Sequence, residues 1–335
     1  MKALMKKLWH KNRILVTGAG GFIGSHLVES LVKEGAQVRA FVRYNSRGVP
    51  GHLRNLPPQV QSHLEVVAGD LRDAQAVRQA VAGCQVVFHL GALISIPYSY
   101  RQPAEVAETN FNGTLNVLLA CRDLGVDRLV HTSSSEVYGT ALREPIDETH
   151  PLQGQSPYSA SKIGADKLAE SFFCTYDLPV VTVRPFNTYG PRQSVRAVIP
   201  TIITQALTQS TVRLGNLETR RDYTYVGDTV DGFLLAAQAA NVLGMTINLG
   251  VGQNIRVGEL ACKIIKMLEK PVMIVVDSAR MRPERSEVLN LISDNRLALQ
   301  HLKWQPKVSL DQGLEQTIEW IRDHLDLYRI GTYEF

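Results

Sequence analysis

A chain of 335 residues, 44% apolar and 20% charged, is long enough for a large core and ordinary in composition for a globular protein. A formal charge of +4 is too small to argue for a nucleic-acid partner, and its basic residues are scattered apart from Lys2, Lys6, Lys7, Lys11 and Arg13. No stretch reaches the roughly 18 apolar residues of a membrane span. The basic start lacks a signal peptide's apolar region, and Cys84, Cys121, Cys174 and Cys262 show neither metal nor paired spacing. The expectation is a cytoplasmic protein with buried thiols, no membrane association and no metal.

Arg13–Thr17 (RILVT) reads as a strand, followed by Gly18, Gly21 and Gly24 and by helical periodicity over Phe22–Glu34. Strand, glycine turn and helix in that order predict a dinucleotide site. Gly18 makes the tight turn, Gly21 admits a pyrophosphate to the backbone, and Gly24 lets helix and strand pack closely. Phe22 and Ile23 then open a helix whose N-terminus faces the anion. The next strand, Gln37–Arg43, ends where the adenosine ribose lies. Binders of NAD usually present an acid there, whereas this chain offers Arg43 with Arg47 behind it and no acid between Gln37 and Gly51. A guanidinium suits a 2′-phosphate, so NADP is favoured. NAD stays possible if Arg43 only covers the adenine face.

Leu64–Ala68 is a third strand ending at Gly69-Asp70-Leu71, with Asp70 set to meet the adenine amine. A fourth, Gln85–Leu90, is followed by Gly91-Ala92, so Leu90 and Ala92 join Leu71 among the cofactor candidates. Pro103–Leu124 has helical spacing and Asp127–His131 is a fifth strand. Strands alternating with helices mean a parallel sheet, whose ligands lie at the carboxyl ends of the strands. Gly18–Gly24, Arg43, Asp70, Leu90–Ala92 and Ser133–Glu136 all fall at such ends.

The stretch Leu129–Lys162 holds most of the candidate chemistry. Tyr158 and Lys162 stand four apart, and a helix opened by Pro157 would stack phenol and ammonium on one face. A nearby cation lowers a phenol's pKa, so Tyr158 could accept a proton from a sugar hydroxyl; the plain alternative is a solvated helix face. Pro179–Arg184 is a sixth strand. Arg196–Gln209, a strand near Thr211–Leu214 and Arg220–Val226 read as a lid. Gly227–Ala240 and Met245–Leu249 return to the sheet, and Ile255–Glu269, Val272–Val276 and Asp311–Tyr328 complete a smaller lobe. The fold class is α/β: a Rossmann-type doubly wound parallel sheet (12–190 plus about 227–252) with a smaller interleaved C-terminal substrate lobe (about 191–226 plus 253–335).

The motifs TGAGGFIG (17–24), YSASK (158–162), RPFNTYGPRQ (184–193) and RRDYTYVGDTVDG (220–232) together resemble the extended short-chain dehydrogenase/reductase family of nucleotide-sugar enzymes, from about Arg13 onward. SIPYSY (95–100), SSSEVYG (133–139), QGQSPYSASKIGADKLAES (153–171) and RPERSEV (282–288) look most like sugar-nucleotide 4,6-dehydratases, nearest the N-acetylglucosamine enzymes of the legionaminic acid pathway. The resemblance implies that Tyr158 deprotonates the C4 hydroxyl, Lys162 lowers its pKa and binds the nicotinamide ribose, and Ser134 bonds the C4 oxygen. It also puts Glu136 on the glutamate that takes the C5 proton, and implies a tightly held cofactor regenerated within each turnover. One departure stands out: glucose 4,6-dehydratases carry Thr-Asp-Glu here, against Ser134-Ser135-Glu136. GDP-mannose 4,6-dehydratases and UDP-glucuronate decarboxylases share a Thr-Ser-Glu turn. A serine is a poor acid for the leaving C6 hydroxyl, so Glu136 would have to shuttle its proton.

For the substrate, the likeness places Asn187 at the diphosphate with Arg221 and Arg282 as its clamps, Glu287 at the nucleotide ribose and Val198 in the base pocket, with Arg192 as a further candidate. His89, His131 and His150 read as structural histidines. A 4-epimerase needs no base at C5, so Glu136 argues against it; a decarboxylase would keep Glu136 but need an arginine for the carboxylate. Relatives dimerise through the Tyr158 helix and the one near Glu105–Leu124, so a homodimer is expected.

Overall fold

The computed structural model describes residues 9–10, 12–46 and 48–328. Arg47 and the basic Lys2, Lys6, Lys7 and Lys11 lie outside the described residues, as does the end of the smaller lobe from 329. Six strands follow the expected order: β1 (Arg13–Thr17), β2 (Gln37–Arg43), β3 (Leu64–Gly69), β4 (Val86–His89), β5 (Arg128–Thr132) and β6 (Val180–Pro185). With Thr246–Leu249 beside β6 they form one parallel seven-stranded sheet in the order β3, β2, β1, β4, β5, β6, Thr246–Leu249. The order reverses between β1 and β4, which opens a crevice at the carboxyl ends of those strands.

Burial explains the strand sequences. β4 and β6 are buried along their whole length and rich in valine, as a sheet covered on both faces requires, with His89, Thr182 and Arg184 as buried polar exceptions. On one face Leu27, Val28 and Leu31 of helix Phe22–Lys33 pack with Val230 and Phe233 of helix Val226–Gln238. On the other, Val77 and Val81 of Ala74–Val81 join Val117 and Leu118 of Gly113–Leu124 and Ala169 and Phe172 of Pro157–Tyr176. Cys84 and Cys121 are buried in this second core, but Cys174 and Cys262 are exposed, against expectation. Both sit on outward helix faces.

The long helix Pro103–Leu124 is interrupted by a π-turn at Glu108–Asn112. Pro157 occupies the first turn of the Tyr158 helix, as its sequence predicts, and Ser156 caps it by accepting from the Ser159 amide.

The segment read as a lid is core instead. Ile199, Ile202 and Ile203 of helix Val198–Thr208 pack with Val212 and Leu214, with Leu260 and Ile264 of Val257–Leu268, and with Leu314 and Ile318 of Leu310–Asp323. Apolar side chains on the helix's inner face bind it into the smaller lobe, whereas a lid needs few buried contacts. That lobe is laced to the sheet: the Asp222 carboxylate accepts from the amides of Val251, Gly252 and Ser293, and Trp304 donates to the Asp228 carbonyl. Among the described residues no helix is long and apolar enough to cross a membrane. Replacing the fully buried Leu260 by alanine should cost about 2–5 kcal/mol and lower one melting transition shared by both lobes. Calorimetry resolving two transitions would show instead that the smaller lobe melts alone.

Candidate active site

The glycine turn is built as its spacing implies. Gly18 has φ +67°, and a Cβ on it would lie 2.8 Å from the backbone of Gly91, at the end of β4. On Gly24 a Cβ would lie 2.2 Å from the Gly18 carbonyl oxygen, so helix and turn can meet only through glycine. Gly21 is the N-cap of helix Phe22–Lys33 with no side-chain cap, which leaves the first-turn amides of Phe22 and Ile23 available to an anion. These features fit a dinucleotide pyrophosphate. Leu71 is buried against Gly91 and Gly113 and supports the cleft wall, with Leu90 and Ala92 half-buried beside it.

The ribose end holds a correction. Arg43 donates to Glu105 at 3.0 Å, and Tyr98 donates to the other oxygen of the same carboxylate. The acid missing from the end of β2 is therefore supplied from the helix that opens at Pro103, far away in sequence. Asp70 is held by Arg72 through two side-chain bonds of 3.0 and 2.7 Å, and this pairing pulls its carboxyl down to about 2.

Ser134, Glu136, Tyr158 and Lys162 meet at the ends of β5 and the Tyr158 helix. Ser134 caps the short turn Ser135–Tyr138 by accepting from the Glu136 amide, and its side chain hydrogen-bonds Tyr158. Ser135 is buried beneath that turn. The expected lowering of the phenol pKa is not what this arrangement produces. Burial pushes Tyr158 up to about 12, with the Ser134 bond opposing, and the Lys162 ammonium turns to the Thr132 carbonyl at 2.6 Å. Burial also pulls Lys162 down to about 8, with Asp166 opposing. Two further residues of this site had no assigned role: Asn110 lies outside every motif, and Tyr100 ends SIPYSY. Asn110, in the π-turn, bonds both backbone groups of Leu93 and the Ser161 hydroxyl, tying the loop after β4 to the Tyr158 helix. Tyr100 shares a 2.7 Å bond with Ser286, whose hydroxyl donates to the Gln155 carbonyl, so three loops close around the cleft.

A cavity of about 250 Å³ lies between the lobes, lined by Asn187, Val198, Arg221, Tyr223, Arg282 and Glu287. Glu287 stands 3.6 Å from both Arg221 and Arg282, and Arg282 is 3.9 Å from Glu136, so the cationic cleft runs up to the Tyr158 group. The Asn187 Oδ1 and the Tyr223 hydroxyl are buried there without a hydrogen-bond partner. Arg192 stands apart. Its guanidinium pairs with Glu29 on the glycine-turn helix at 2.6 Å, its backbone is left-handed, and it does not line that cavity. His89 is satisfied by Thr17 and Thr114 and His150 by Leu142 and Pro151, while His131 bonds Asp166. Among the described residues no group of three or more His, Cys, Asp or Glu is placed to hold a metal ion.

A family model described as GDP-mannose 4,6 dehydratase matches residues 15–317. The chain belongs to that family. A UDP-glucose 4-epimerase of Mycolicibacterium smegmatis is 35% identical over 93% of this chain and 99% of its own length. A UDP-N-acetyl-alpha-D-glucosaminuronate decarboxylase of Bacillus cytotoxicus is 31% identical over 93% of this chain and 98% of its own. The solved dTDP-glucose 4,6-dehydratase DesIV of Streptomyces venezuelae, with NAD bound, superposes with a TM-score of 0.85 at 30% identity, covering 95% and 99% of the two chains. The family is thus one of nicotinamide-dependent nucleotide-sugar dehydratases, epimerases and decarboxylases.

Arg192 has an electrostatic consequence. His26 and His52 lie beside it, and burial followed by its charge pulls both down to about 4. A depressed base stays neutral in the fold while the unfolded chain takes up its proton, so their contribution to stability is lost as pH falls from about 6.5 toward 4. Buried Asp222, raised to about 6 by burial, acts in the opposite sense over the same window, so the test is a difference between variants. Melting temperatures of His52→Gln and the parent should converge as pH falls to 4; a parallel decline would rule out this contribution.

Proposed function

We propose that the chain is a nucleotide-sugar 4,6-dehydratase acting on an N-acetylglucosamine nucleotide, GDP- or UDP-linked, as in the legionaminic acid route. The observation that carries this reading is Glu136: a carboxylate in the same turn as Ser134, beside Tyr158, at the head of an arginine-lined cleft. Loss of water across C5 and C6 needs a base at C5, whereas epimerisation at C4 does not. The likeness to DesIV supports the reading, and the likeness to the Mycolicibacterium epimerase supports the second one, a 4-epimerase on the same scaffold.

Arg221 and Arg282 would grip the diphosphate through charge-assisted bonds, with Asn187 beside them, Glu287 at the ribose and Val198 against the base. Ser134 would hold the C4 oxygen while Tyr158 takes the C4 hydroxyl proton. A bound nicotinamide dinucleotide, held by Gly18–Gly24 and the Phe22 and Ile23 amides, supplies the hydride acceptor at C4 and the donor at C6. With C4 a ketone, the C5 proton is acidic; Glu136 would take it and pass it to the departing C6 hydroxyl, which leaves as water, and after hydride reaches C6 a solvent proton would return to C5 through Glu136. Ser135 cannot give that proton at neutral pH. Lys162, once freed from Thr132 by the nicotinamide ribose, would bring its charge to Tyr158 and offset the burial that holds the phenol neutral. Phe111, partly exposed on the helix facing Gly164, would contribute to a homodimer interface.

A mass spectrum of products tests the reading, with purified protein, UDP- or GDP-N-acetylglucosamine or UDP-glucuronate and no cofactor regeneration. Loss of water from an N-acetylglucosamine nucleotide is the expected result. Loss of carbon dioxide from the glucuronate, or an unchanged mass with an altered C4 epimer, would replace it. Glu136→Gln should abolish exchange of the C5 proton with solvent and still permit cofactor reduction; normal exchange would remove Glu136 from its role.

For the cofactor, Arg43 supports NADP, and its pairing with Glu105 supports NAD, whose 2′-hydroxyl a carboxylate can accept. We propose NADP as the resident form, with Arg43 leaving Glu105 for the 2′-phosphate. Denaturing the purified protein should release NADP, and release of NAD alone would transfer the ribose contact to Glu105.

A further inference from the structure

One buried carboxylate touches neither cleft yet connects everything that the site needs. Asp166 lies one helical turn beyond Lys162 and two beyond Tyr158, on the same face of the same helix. It is 5% exposed and accepts four hydrogen bonds. One comes from His131 at 3.1 Å and one from the Ser133 hydroxyl at 2.6 Å, and two come from Arg184, at 3.2 and 2.9 Å. Arg184 also donates to the Tyr138 hydroxyl at 2.9 Å, and Tyr138 donates in turn to Asn248 at 2.8 Å. Ser133 enters the turn that carries Ser134 and Glu136, and Tyr138 leaves it. The turn is therefore clamped at both ends to one carboxylate of the Tyr158 helix.

We propose that Asp166 is the positioning residue of this site: it registers the Ser134–Glu136 turn against the Tyr158–Lys162 helix, and its negative charge holds Lys162 as the ammonium. Both parts follow from the geometry. Ser134 can hydrogen-bond Tyr158 only while turn and helix keep their register. A buried ammonium whose own bond goes to a neutral carbonyl needs a nearby anion to stay charged. The charged and titratable groups packed around it are His89 on β4, His131 on β5, Arg184 on β6, Tyr138 and Glu136 on the turn, and Tyr158 and Lys162 on the helix itself. Among them Asp166 is the source of attraction that acts on Lys162, countering burial. The functional meaning rests on Tyr158 and Lys162 being the acid–base pair, but the network can be tested without any substrate.

The titration of Lys162 is read by NMR of the purified, cofactor-bearing protein labelled at the lysine ε-carbons, its signal assigned by loss in Lys162→Arg. Asp166→Asn keeps the shape and removes the charge, so the Lys162 midpoint should move to lower pH by at least about half a unit. An unmoved midpoint would overturn the electrostatic half. Amide exchange over 134–138 reads the clamp. Ser133→Ala deletes one donor and keeps the charge, so it should speed exchange about tenfold, the equivalent of one hydrogen bond, with the Lys162 midpoint in place. Unchanged exchange there would overturn the clamp, even where Asp166→Asn does not fold. Full turnover by Tyr158→Phe would instead strike the acid–base reading and leave the network standing.

Discussion

A buried ion pair between Asp166 and Arg184 lies beneath the whole site. Taking two charges out of water is costly, and such a pair survives only where further hydrogen bonds satisfy it. Here they come from His131, Ser133 and Tyr138. The cost is accepted at a position where β5, β6, the turn after β5 and the Tyr158 helix converge. An apolar contact in the same place would stabilise the fold but leave the turn free to slide. Directional bonds at both ends of the turn remove that freedom.

Two further constraints act on either side of this centre. Toward the glycine turn, Gly18 closely approaches Gly91 where the strand order reverses between β1 and β4 and the crevice opens. Toward the cavity between the lobes, Arg221 and Arg282 face one another across Glu287, whose carboxylate offsets the repulsion of two neighbouring cations. In the proposed reading, the glutamate at the head of that cavity would distinguish dehydration from simple epimerisation on one shared framework. Relatives of all these kinds cover nearly the whole chain, so the framework alone does not select among them.

Much of the site was legible because motifs carry their own geometry. The glycine spacing, the Tyr158–Lys162 step and the SSSEVYG turn are local, and local spacing survives folding. What the sequence left unread lies where geometry is not local. Arg43 looked like an unopposed cation because Glu105 is remote in sequence, and Arg192 looked like part of a motif although its partner is Glu29, on the first helix. The phenol of Tyr158 was expected low from its neighbour, but burial outweighs a cation whose own bond goes elsewhere.

By itself, the sequence determined the order and direction of the strands, the glycine turn and the close spacing of Tyr158 and Lys162. Each follows from periodicity or fixed short spacing, which the backbone converts directly into shape. Tertiary structure alone decided that 196–226 is core and not a lid, that Asn110 ties the loop after β4 to the Tyr158 helix, and that Asp166 binds the two halves of the site. Those contacts join residues far apart in the chain, and no local pattern records which buried polar group will meet which.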